Sequence, residues 1–223
     1  MTTEKNGAID AAGKRAVIFD FDGTIADSMR AMVQVFEDLT SKPEPYTDDE
    51  INRLRDMSVP DLLKALELPA WKVPILVIKG RKMLKKHLHG IAVHDGMADV
   101  IKTLHAHGVP LYVLSSNSTE NVQKYLQWHR LSQYFTAVHG GAGLLGKAPH
   151  LLKLIAQGNL DTAQSWYVGD EMRDVSAARA VGLKIASVTW GYNTHRALES
   201  KKPDALVDDA KQLTKVLSDV WKK

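Results

Sequence analysis

The sequence predicts an α/β fold in which a doubly wound parallel sheet carries a small inserted helical domain. Three observations support this prediction. Short, continuously apolar runs end in polar residues, as do strands buried on both faces of a parallel sheet. Amphipathic stretches with helical spacing separate these runs from residue 93 onwards. Between residues 30 and 92 this alternation stops and the periodicity is almost entirely helical.

Five segments are predicted as strands because each is a short apolar run bounded by charged or turn-forming residues. They are RAVIFDF (15–21), PLYVLSS (110–116), YFTAVHG (134–140), SWYVGDE (165–171) and KIASVTWG (184–191). Helices are expected between them. Gly108 and Gly182 stand where a left-handed residue would end two of these helices. The alternation of strand and helix favours a parallel sheet with helices on both faces.

The predicted domain organisation has three parts. Residues 1–14 are polar and rich in small residues, which is typical of a mobile tail. Residues 15–29 and 93–223 are predicted to form a Rossmann-like core, and residues 30–92 a helical cap inserted after the first strand. The cap contains a basic helix near KGRKMLKKHLHG, whose charges indicate a solvated face or, alternatively, a surface that guides anions.

Composition excludes several classes of protein. The 223 residues, 44% hydrophobic and 25% charged, suit one substantial core plus a smaller domain. The absence of cysteine excludes disulfides and thiolate chemistry and fits a reducing compartment. Without a signal-like start or a run of about 20 apolar residues, we expect a cytoplasmic protein with no membrane partner. A net charge of +3, with no basic stripe among aromatics, gives no indication of nucleic acid binding. The oligomeric state stays open.

Two carboxylates, Asp20 and Asp22, lie two residues apart at the end of the first predicted strand, and the turn formers Gly23 and Thr24 follow them. Like charges this close repel each other, and a bound cation is the simplest compensation. The alternative is a solvated acidic turn.

Polar residues also close the other predicted strands. Ligands of an open parallel sheet bind at the carboxyl ends of its strands, so these residues are expected to converge on one edge. The converging set comprises Asp20, Asp22, Ser115, Ser116, Asn117, Lys147, Gly169, Asp170, Glu171 and Asp174. Sequence leaves open whether Ser115 or Ser116 would contact a ligand.

The order and spacing of these residues resemble the haloacid dehalogenase superfamily, in its phosphoglycolate-phosphatase-like branch with a helical cap. Four segments carry the resemblance: DFDGT (20–24), SSN (115–117), Lys147 in GKAPH, and GDEMRD (169–174). DFDGT and GDEMRD are strong signals, whereas the serine and the lysine gain weight from their order. The resemblance extends from about residue 15 to 215.

The resemblance implies a Mg²⁺-dependent phosphatase that acts on a small phosphorylated metabolite. Asp20 would be the nucleophile that forms an aspartyl-phosphate, and Asp22 the general acid and base. Mg²⁺ would be held by Asp20, Asp170 and the backbone carbonyl of Asp22, with Asp174 acting through water or by orienting Asp170.

Further residues would bind the phosphate and the rest of the substrate. Ser116, Lys147 and the amides around Gly23 and Asn117 are expected to hold the transferring phosphate. Arg55, in LRDMSVPDLLKAL, resembles the cap-loop cation that related sugar-phosphate enzymes turn towards substrate.

Two alternatives to a phosphatase remain. A phosphomutase resembling β-phosphoglucomutase would use the same four segments, and a binding or regulatory protein could retain the fold without catalysis. Dehalogenation is disfavoured, because that branch lacks the acid/base residue that Asp22 supplies. Glu171 and Arg173 are interpreted as a solvated ion pair rather than as ligands.

Overall fold

The structure, a computed structural model, describes residues 13–40, 44–67, 88–143 and 146–222, together with residues 71, 75, 78, 79, 82 and 85. Its centre is a parallel sheet in the order β3-β2-β1-β4-β5-β6. The strands are β1 (Val17–Phe19), β2 (Leu111–Leu114), β3 (Ala137–His139), β4 (Trp166–Gly169), β5 (Lys184–Val188) and β6 (Ala205–Val207). The five predicted strands are present, and β6 is an additional edge strand that the sequence prediction missed.

Helices flank the strands. The described helices are α1 (Met29–Thr40), α2 (Asp48–Arg55), α3 (Val59–Ala65), α4 (Met97–Ala106), α5 (Thr119–Trp128), α6 (Ala148–Gly158), α7 (Met172–Ala180), α8 (His195–Ser200) and α9 (Ala210–Leu217). Side chains cap several of their N-termini, and Thr47 forms a reciprocal capping box with Glu50 at α2. Gly108 and Gly182 have φ of +73° and +75°, as predicted for residues that follow a helix.

The core lies on both faces of the sheet. In β1, Val17 and Phe19 belong to one buried cluster and Ile18 to the other, because successive strand residues point to opposite faces. The first cluster includes side chains of α4, α5 and α9, and the second includes side chains of α6 and α7. Helices therefore cover both faces, which explains the continuous apolar runs and confirms the predicted doubly wound α/β fold.

The chain changes direction across the sheet at β1. From β1 it proceeds to β2 and β3 on one side and then returns to β4 on the other side of β1. A crevice forms outside the carboxyl ends of the strands at such a switch point. The residues that follow β1 and β4 therefore lie where a ligand is expected.

The predicted cap is described in part. Helices α1, α2 and α3 agree with its helical periodicity, whereas half of the predicted basic helix lies outside the described residues. Lys85 of that segment forms an exposed ion pair with Glu120 of α5 at 3.1 Å.

The predicted tail 1–14 also lies largely outside the described residues. Within it, Lys14 donates its backbone N–H to the carbonyl of Asn159 at 2.7 Å, so regular hydrogen bonding to the core already begins there. Among the described residues, the helices are too short or too polar to cross a membrane.

Candidate active site

The turn after β1 places the first carboxylates. The backbone N–H of Asp20 donates to the carbonyl of Val168 at 2.8 Å and extends the pairing of β1 with β4. The N–H groups of Ile25 and Ala26 then both donate to the carbonyl of Phe21, at 2.9 and 3.0 Å, which closes a tight turn. This turn fixes Asp20 and Asp22 at the switch point.

Gly23 is required in this turn for two reasons. Its φ is +78°, in the region that glycine adopts without steric cost. A Cβ at this position would also lie 2.3 Å from Oδ2 of Asp170, closer than real Cβ contacts allow. The glycine therefore lets the end of β4 approach the end of β1.

Three buried carboxylates meet at this point. Asp20, Asp170 and Asp174 each offer one oxygen atom, and these atoms lie within 4.8 Å of one another. Asp170 accepts hydrogen bonds from the Thr24 hydroxyl and from the backbone N–H of Tyr192, both at 2.7 Å. The structure thus brings together residues that are 150 positions apart in sequence, 170 − 20.

Lys147 lies inside this acidic cluster. It precedes α6 and is only 1% exposed. Its Nζ lies 2.5 Å from Oδ2 of Asp20 and 2.7 Å from Oδ1 of Asp174, and it donates to the Tyr167 hydroxyl at 3.0 Å. Burial acts to lower the pKa of Lys147, but the two carboxylates outweigh burial and raise the pKa well above its ordinary value. The ammonium is therefore charged and is not a solvated surface group.

The carboxylates outnumber the cations that face them. Burial, with a contribution from the Asp20 charge, raises the pKa of Asp22 from 3.8 to about 7. Burial raises the pKa of Asp174 to about 6 in spite of Lys147. Burial and the neighbouring charge of Asp20 also raise the pKa of Asp170 well above its ordinary value. One ammonium does not neutralise this cluster, and its oxygen donors fit a hard divalent cation such as Mg²⁺.

The two serines at the end of β2 have different environments. The Ser115 hydroxyl is buried and accepts the backbone N–H of Asn117 at 2.9 Å, which holds the turn after β2. The Ser116 hydroxyl is buried as well, but it has no hydrogen-bond partner among the described residues. A buried polar atom left unpaired costs about 1–3 kcal/mol, so Ser116 is the hydroxyl that is available for a ligand.

Asn117 contacts Asp22 through its side chain. Its Nδ2 donates to Oδ2 of Asp22 at 3.2 Å, while its Oδ1 accepts from the backbone N–H of Ser118 and from Nδ2 of Asn121, at 2.8 and 2.9 Å. These two donors fix the orientation of the Asn117 amide, so that its NH₂ group faces Asp22.

The backbone amides predicted to hold phosphate have acceptors within the protein. The Gly23 N–H donates to the carbonyl of Ala26 and to the Ser28 hydroxyl, at 3.0 and 3.1 Å. The Asn117 N–H donates to Ser115. A phosphate contact from either amide would replace one of these bonds.

Arg55 reaches the core from the end of α2. Its Nε donates to the carbonyl of Tyr192 at 2.8 Å and its Nη2 to the carbonyl of Gly191 at 2.9 Å. Its third contact is with Asn52, at 3.2 Å. The guanidinium thus lies near the site but binds the protein's own backbone in this conformation, and its predicted contact with substrate stays a prediction.

Glu171 and Arg173 form the predicted pair, but the pair is not solvated. Two hydrogen bonds of 2.8 and 2.5 Å join them, and their side chains are only 13% and 18% exposed. Burial opposes ionisation of Glu171, yet the adjacent guanidinium lowers the pKa of its carboxyl below the ordinary value. The pair therefore adds no net charge to the site.

A cavity of about 360 Å³ adjoins the cluster. The segment Met57–Pro60 lines one side of it, and Lys147, Arg173 and Tyr192 line the core side. Lys147 thus borders both the acidic cluster and this cavity.

The sequence prediction missed several residues that shape the site. Thr24 and Tyr192 orient Asp170, Asn193 holds the start of α7, and Tyr167 contacts Lys147. The rule that ligands bind at the carboxyl ends of strands applies equally to the fifth predicted strand. It would have directed attention to the loop WGYN that follows β5.

A doubly wound sheet with a buried cluster of carboxylates and a lysine at its switch point has the arrangement of an α/β enzyme. The chain belongs to the haloacid dehalogenase-like hydrolases, since the model of that family matches residues 17–188. The resemblance drawn from the four segments is thereby confirmed.

Known proteins similar to the chain include phosphatases. The phosphoglycolate phosphatase of Synechococcus elongatus is 32% identical over 213 residues, which cover 94% of this chain and 100% of the relative. A predicted phosphatase from Clostridium acetobutylicum superposes with a TM-score of 0.76 at 22% identity, covering 92% of this chain and 99% of that one. A Thermotoga maritima protein assigned as a β-phosphoglucomutase reaches 0.66 at 22% identity, covering 92% and 99%. The two structural matches show the fold, and the family and sequence matches class the chain as a phosphoric monoester hydrolase.

Proposed function

We propose that the chain is a Mg²⁺-dependent phosphatase that hydrolyses a small, soluble, anionic phosphomonoester through an aspartyl-phosphate on Asp20. One observation carries the proposal: Asp20, Asp170, Asp174 and Lys147 gather at the switch point, with the half-buried Asp22 beside them. A structural core gains nothing from such a cluster, whereas phosphoryl transfer requires both a nucleophile and compensating positive charge.

In the first step a carboxylate oxygen of Asp20 attacks phosphorus as the bond to the ester oxygen breaks. Asp22 donates its proton to the departing alkoxide, which leaves as the alcohol. A pKa of about 7 leaves a substantial share of Asp22 protonated at neutral pH, as this role requires.

In the second step a water molecule attacks the phosphorus of the aspartyl-phosphate, and the bond to Asp20 breaks. Asp22, now a carboxylate, accepts the proton of this water. Inorganic phosphate leaves, and both aspartates return to their starting states. The hydrogen bond from Asn117 keeps the Asp22 carboxyl oriented through both steps.

Two side chains of the described site would hold the transferring phosphate. The Ser116 hydroxyl is buried and unpaired among the described residues, and Lys147 carries a charge that offsets repulsion between the phosphate and Asp20. Asp20, Asp170 and the Asp22 carbonyl would hold Mg²⁺, with Asp174 acting through water. When bound, the cation would supply further compensation for the charge that develops on the phosphoryl oxygens.

We further propose that residues 30–92 form the cap and that residues 15–29 and 93–223 form the core. The cavity between Met57–Pro60 and the core would receive the organic part of the substrate. The small size of this cavity and the names of the curated relatives favour a compact metabolite such as phosphoglycolate. A cytoplasmic location remains a prediction.

A panel of phosphorylated metabolites, including phosphoglycolate and hexose phosphates, tests the proposal. The purified chain with Mg²⁺ should release inorganic phosphate, and ³¹P NMR should detect it. Asp20→Asn should abolish turnover, because an amide is a poor nucleophile. Asp27→Asn changes an exposed carboxyl of the same turn and is the matched control.

Two results would contradict the proposed phosphatase activity. Conversion of a sugar phosphate into its isomer without release of free phosphate would indicate a phosphomutase. Phosphate release at the same rate from wild type and Asp20→Asn would show that the activity does not come from this site.

A further inference from the structure

The loop that follows β5 lies against the junction of α2 and α3. Arg55 donates to the carbonyls of Gly191 and Tyr192, and the Asn193 amide donates back to the carbonyls of Arg55 and Met57, at 2.6 and 3.3 Å. The backbone N–H of Thr194 also donates to the Arg55 carbonyl, at 3.4 Å. Reciprocal bonds therefore tie this junction to the loop.

The next residue, Asp56, strengthens the same connection. Its carboxylate accepts hydrogen bonds from the Thr194 hydroxyl and from the Arg196 guanidinium. The Thr194 hydroxyl lowers the pKa of Asp56 and Arg196 contributes, so the carboxylate remains charged. We call the contacts of Arg55, Asp56 and Met57 with residues 191–196 the latch.

The other side of this loop holds Asp170. The backbone N–H of Tyr192 donates to Oδ2 of Asp170, and the N–H of Asn193 donates to its carbonyl at 3.2 Å. Asn193, 2% exposed, also accepts the N–H of Met172 at 2.8 Å and so holds the first residue of α7. A Cβ at Gly191 would lie 2.3 Å from Asp170, so the loop has little room to shift without moving that carboxylate.

We propose that Arg55 is a positioning residue. By binding the Gly191 and Tyr192 carbonyls, it fixes the backbone N–H of Tyr192, which in turn orients Asp170. Docking of the α2–α3 junction is thereby coupled to the orientation of the carboxylates that would hold the metal. The inference rests on the proposed function, since it assigns Asp170 to a divalent cation. It differs from the expectation that Arg55 binds substrate, because the Nε and Nη2 donors already have acceptors. The planar guanidinium donates to the two carbonyls from separate nitrogen atoms held in a fixed geometry, which the single ammonium nitrogen of lysine reproduces less well.

Hydrogen exchange of the metal-free protein tests the latch directly. In Arg55→Ala, peptides that contain Tyr192 should exchange at least about 10-fold faster than in the wild type, because the carbonyls on either side of that amide lose their donor. Arg55→Lys should show a smaller increase. Arg53→Ala removes an exposed arginine from the same helix, and exchange at Tyr192 should not change.

Calorimetric titration with Mg²⁺, or with Mn²⁺ followed by electron paramagnetic resonance, tests the coupling without substrate. Loss of a residue that orients a metal ligand typically weakens binding about 10- to 100-fold, and Arg55 acts one residue further out. We expect Arg55→Ala to weaken metal binding about 3- to 10-fold, with Arg53→Ala unchanged and Asp170→Asn severely impaired. Where substrate is turned over, KM should change little.

Substrate recognition by Arg55 would instead raise KM in both Arg55 variants while exchange at Tyr192 and metal affinity stayed at wild-type values, and that result would overturn the proposal. If thermal melting shows Arg55→Ala to be unfolded, Arg55→Lys decides between the two outcomes. Neither assay requires turnover. If the wild-type protein binds metal but hydrolyses no ester, the proposed phosphatase activity is refuted, while the effect of Arg55 on metal binding can still be measured. If the wild-type protein binds no divalent cation, this inference is overturned.

Discussion

Replacement of Asp22 by asparagine should change the pH dependence of stability as well as lower activity. Burial raises the pKa of Asp22 from 3.8 to about 7 in the folded protein. Between these values the folded state binds a proton that the unfolded state has lost, so the free energy of unfolding falls as pH rises. The carboxyl therefore destabilises the wild type above pH 7 and has no such effect below its unfolded pKa.

The magnitude follows from the slope of about 1.36 kcal/mol per pH unit for one proton. Between about pH 5 and pH 7 this amounts to about 3 kcal/mol, which is an upper bound because solvent reaches the half-buried side chain. We expect Asp22→Asn to gain about 1–3 kcal/mol relative to the wild type over this range. At low pH asparagine has no advantage, because the wild-type carboxyl is then neutral in both states. The asparagine NH₂ group would also take the position of Oδ1 of Asp22, which has no hydrogen-bond partner among the described residues.

Urea unfolding in the presence of EDTA, at about pH 5 and about pH 8, measures this difference. Asp27→Asn is the control, because its exposed side chain should give no comparable gain. Activity should fall about 10²- to 10⁴-fold with asparagine at position 22. A stability difference between wild type and Asp22→Asn that stays constant over this pH range would refute the assignment of a raised pKa to this carboxyl.

Three further predictions follow from the site. Ser116→Ala should raise KM about 10- to 100-fold and should not lower stability, because it removes a buried hydroxyl that has no partner among the described residues. Ser115→Ala should instead destabilise by about 1 kcal/mol in urea, because the Ser115 hydroxyl accepts a backbone N–H. Equal kinetic effects of the two changes would contradict the distinction. Gly23→Ala should lower the free energy of unfolding by about 2–4 kcal/mol in calorimetry. Alanine is strained at a φ of +78°, and its Cβ would also clash with Asp170. An unchanged melting temperature would count against this geometry. Mg²⁺ should raise the melting temperature more at about pH 8 than at about pH 5. At the lower pH, protons compete with Mg²⁺ for the carboxylates of Asp170 and Asp174, whose pKa values are raised. An equal increase at both pH values would argue against a carboxylate site.

The sheet was predictable where burial on both faces leaves a continuous apolar run. RAVIFDF and SWYVGDE show that signal, and both are central strands. β6 lacks it, since its apolar run is only the three residues Ala205–Val207, enclosed between PD and DD, whereas the equally short edge strand β3 lies within the longer segment YFTAVHG. Such a strand forms because it can pair with β5, and the local sequence pattern contains no information about that pairing.

The acidic residues of the site were predictable because chemistry restricts both their type and their place at strand ends. The orientation of side chains was not predictable. Ser115 and Ser116 are adjacent and chemically identical, and only the folded turn shows which hydroxyl is occupied by a backbone amide. For Arg55 the position was informative, but its partners are backbone carbonyls 136 and 137 residues away, and carbonyls leave no trace in the sequence.

The close approach of Gly23 and Gly191 to Asp170 has a consequence for how the protein can diverge. The backbone of these two glycines, rather than side chains, encloses the Asp170 carboxylate on two sides. Any side chain introduced at either glycine would therefore clash with Asp170. Met57–Pro60 line the neighbouring cavity, and their side chains can be substituted one at a time. New substrate preferences should therefore arise at these residues, while the acidic centre stays constant.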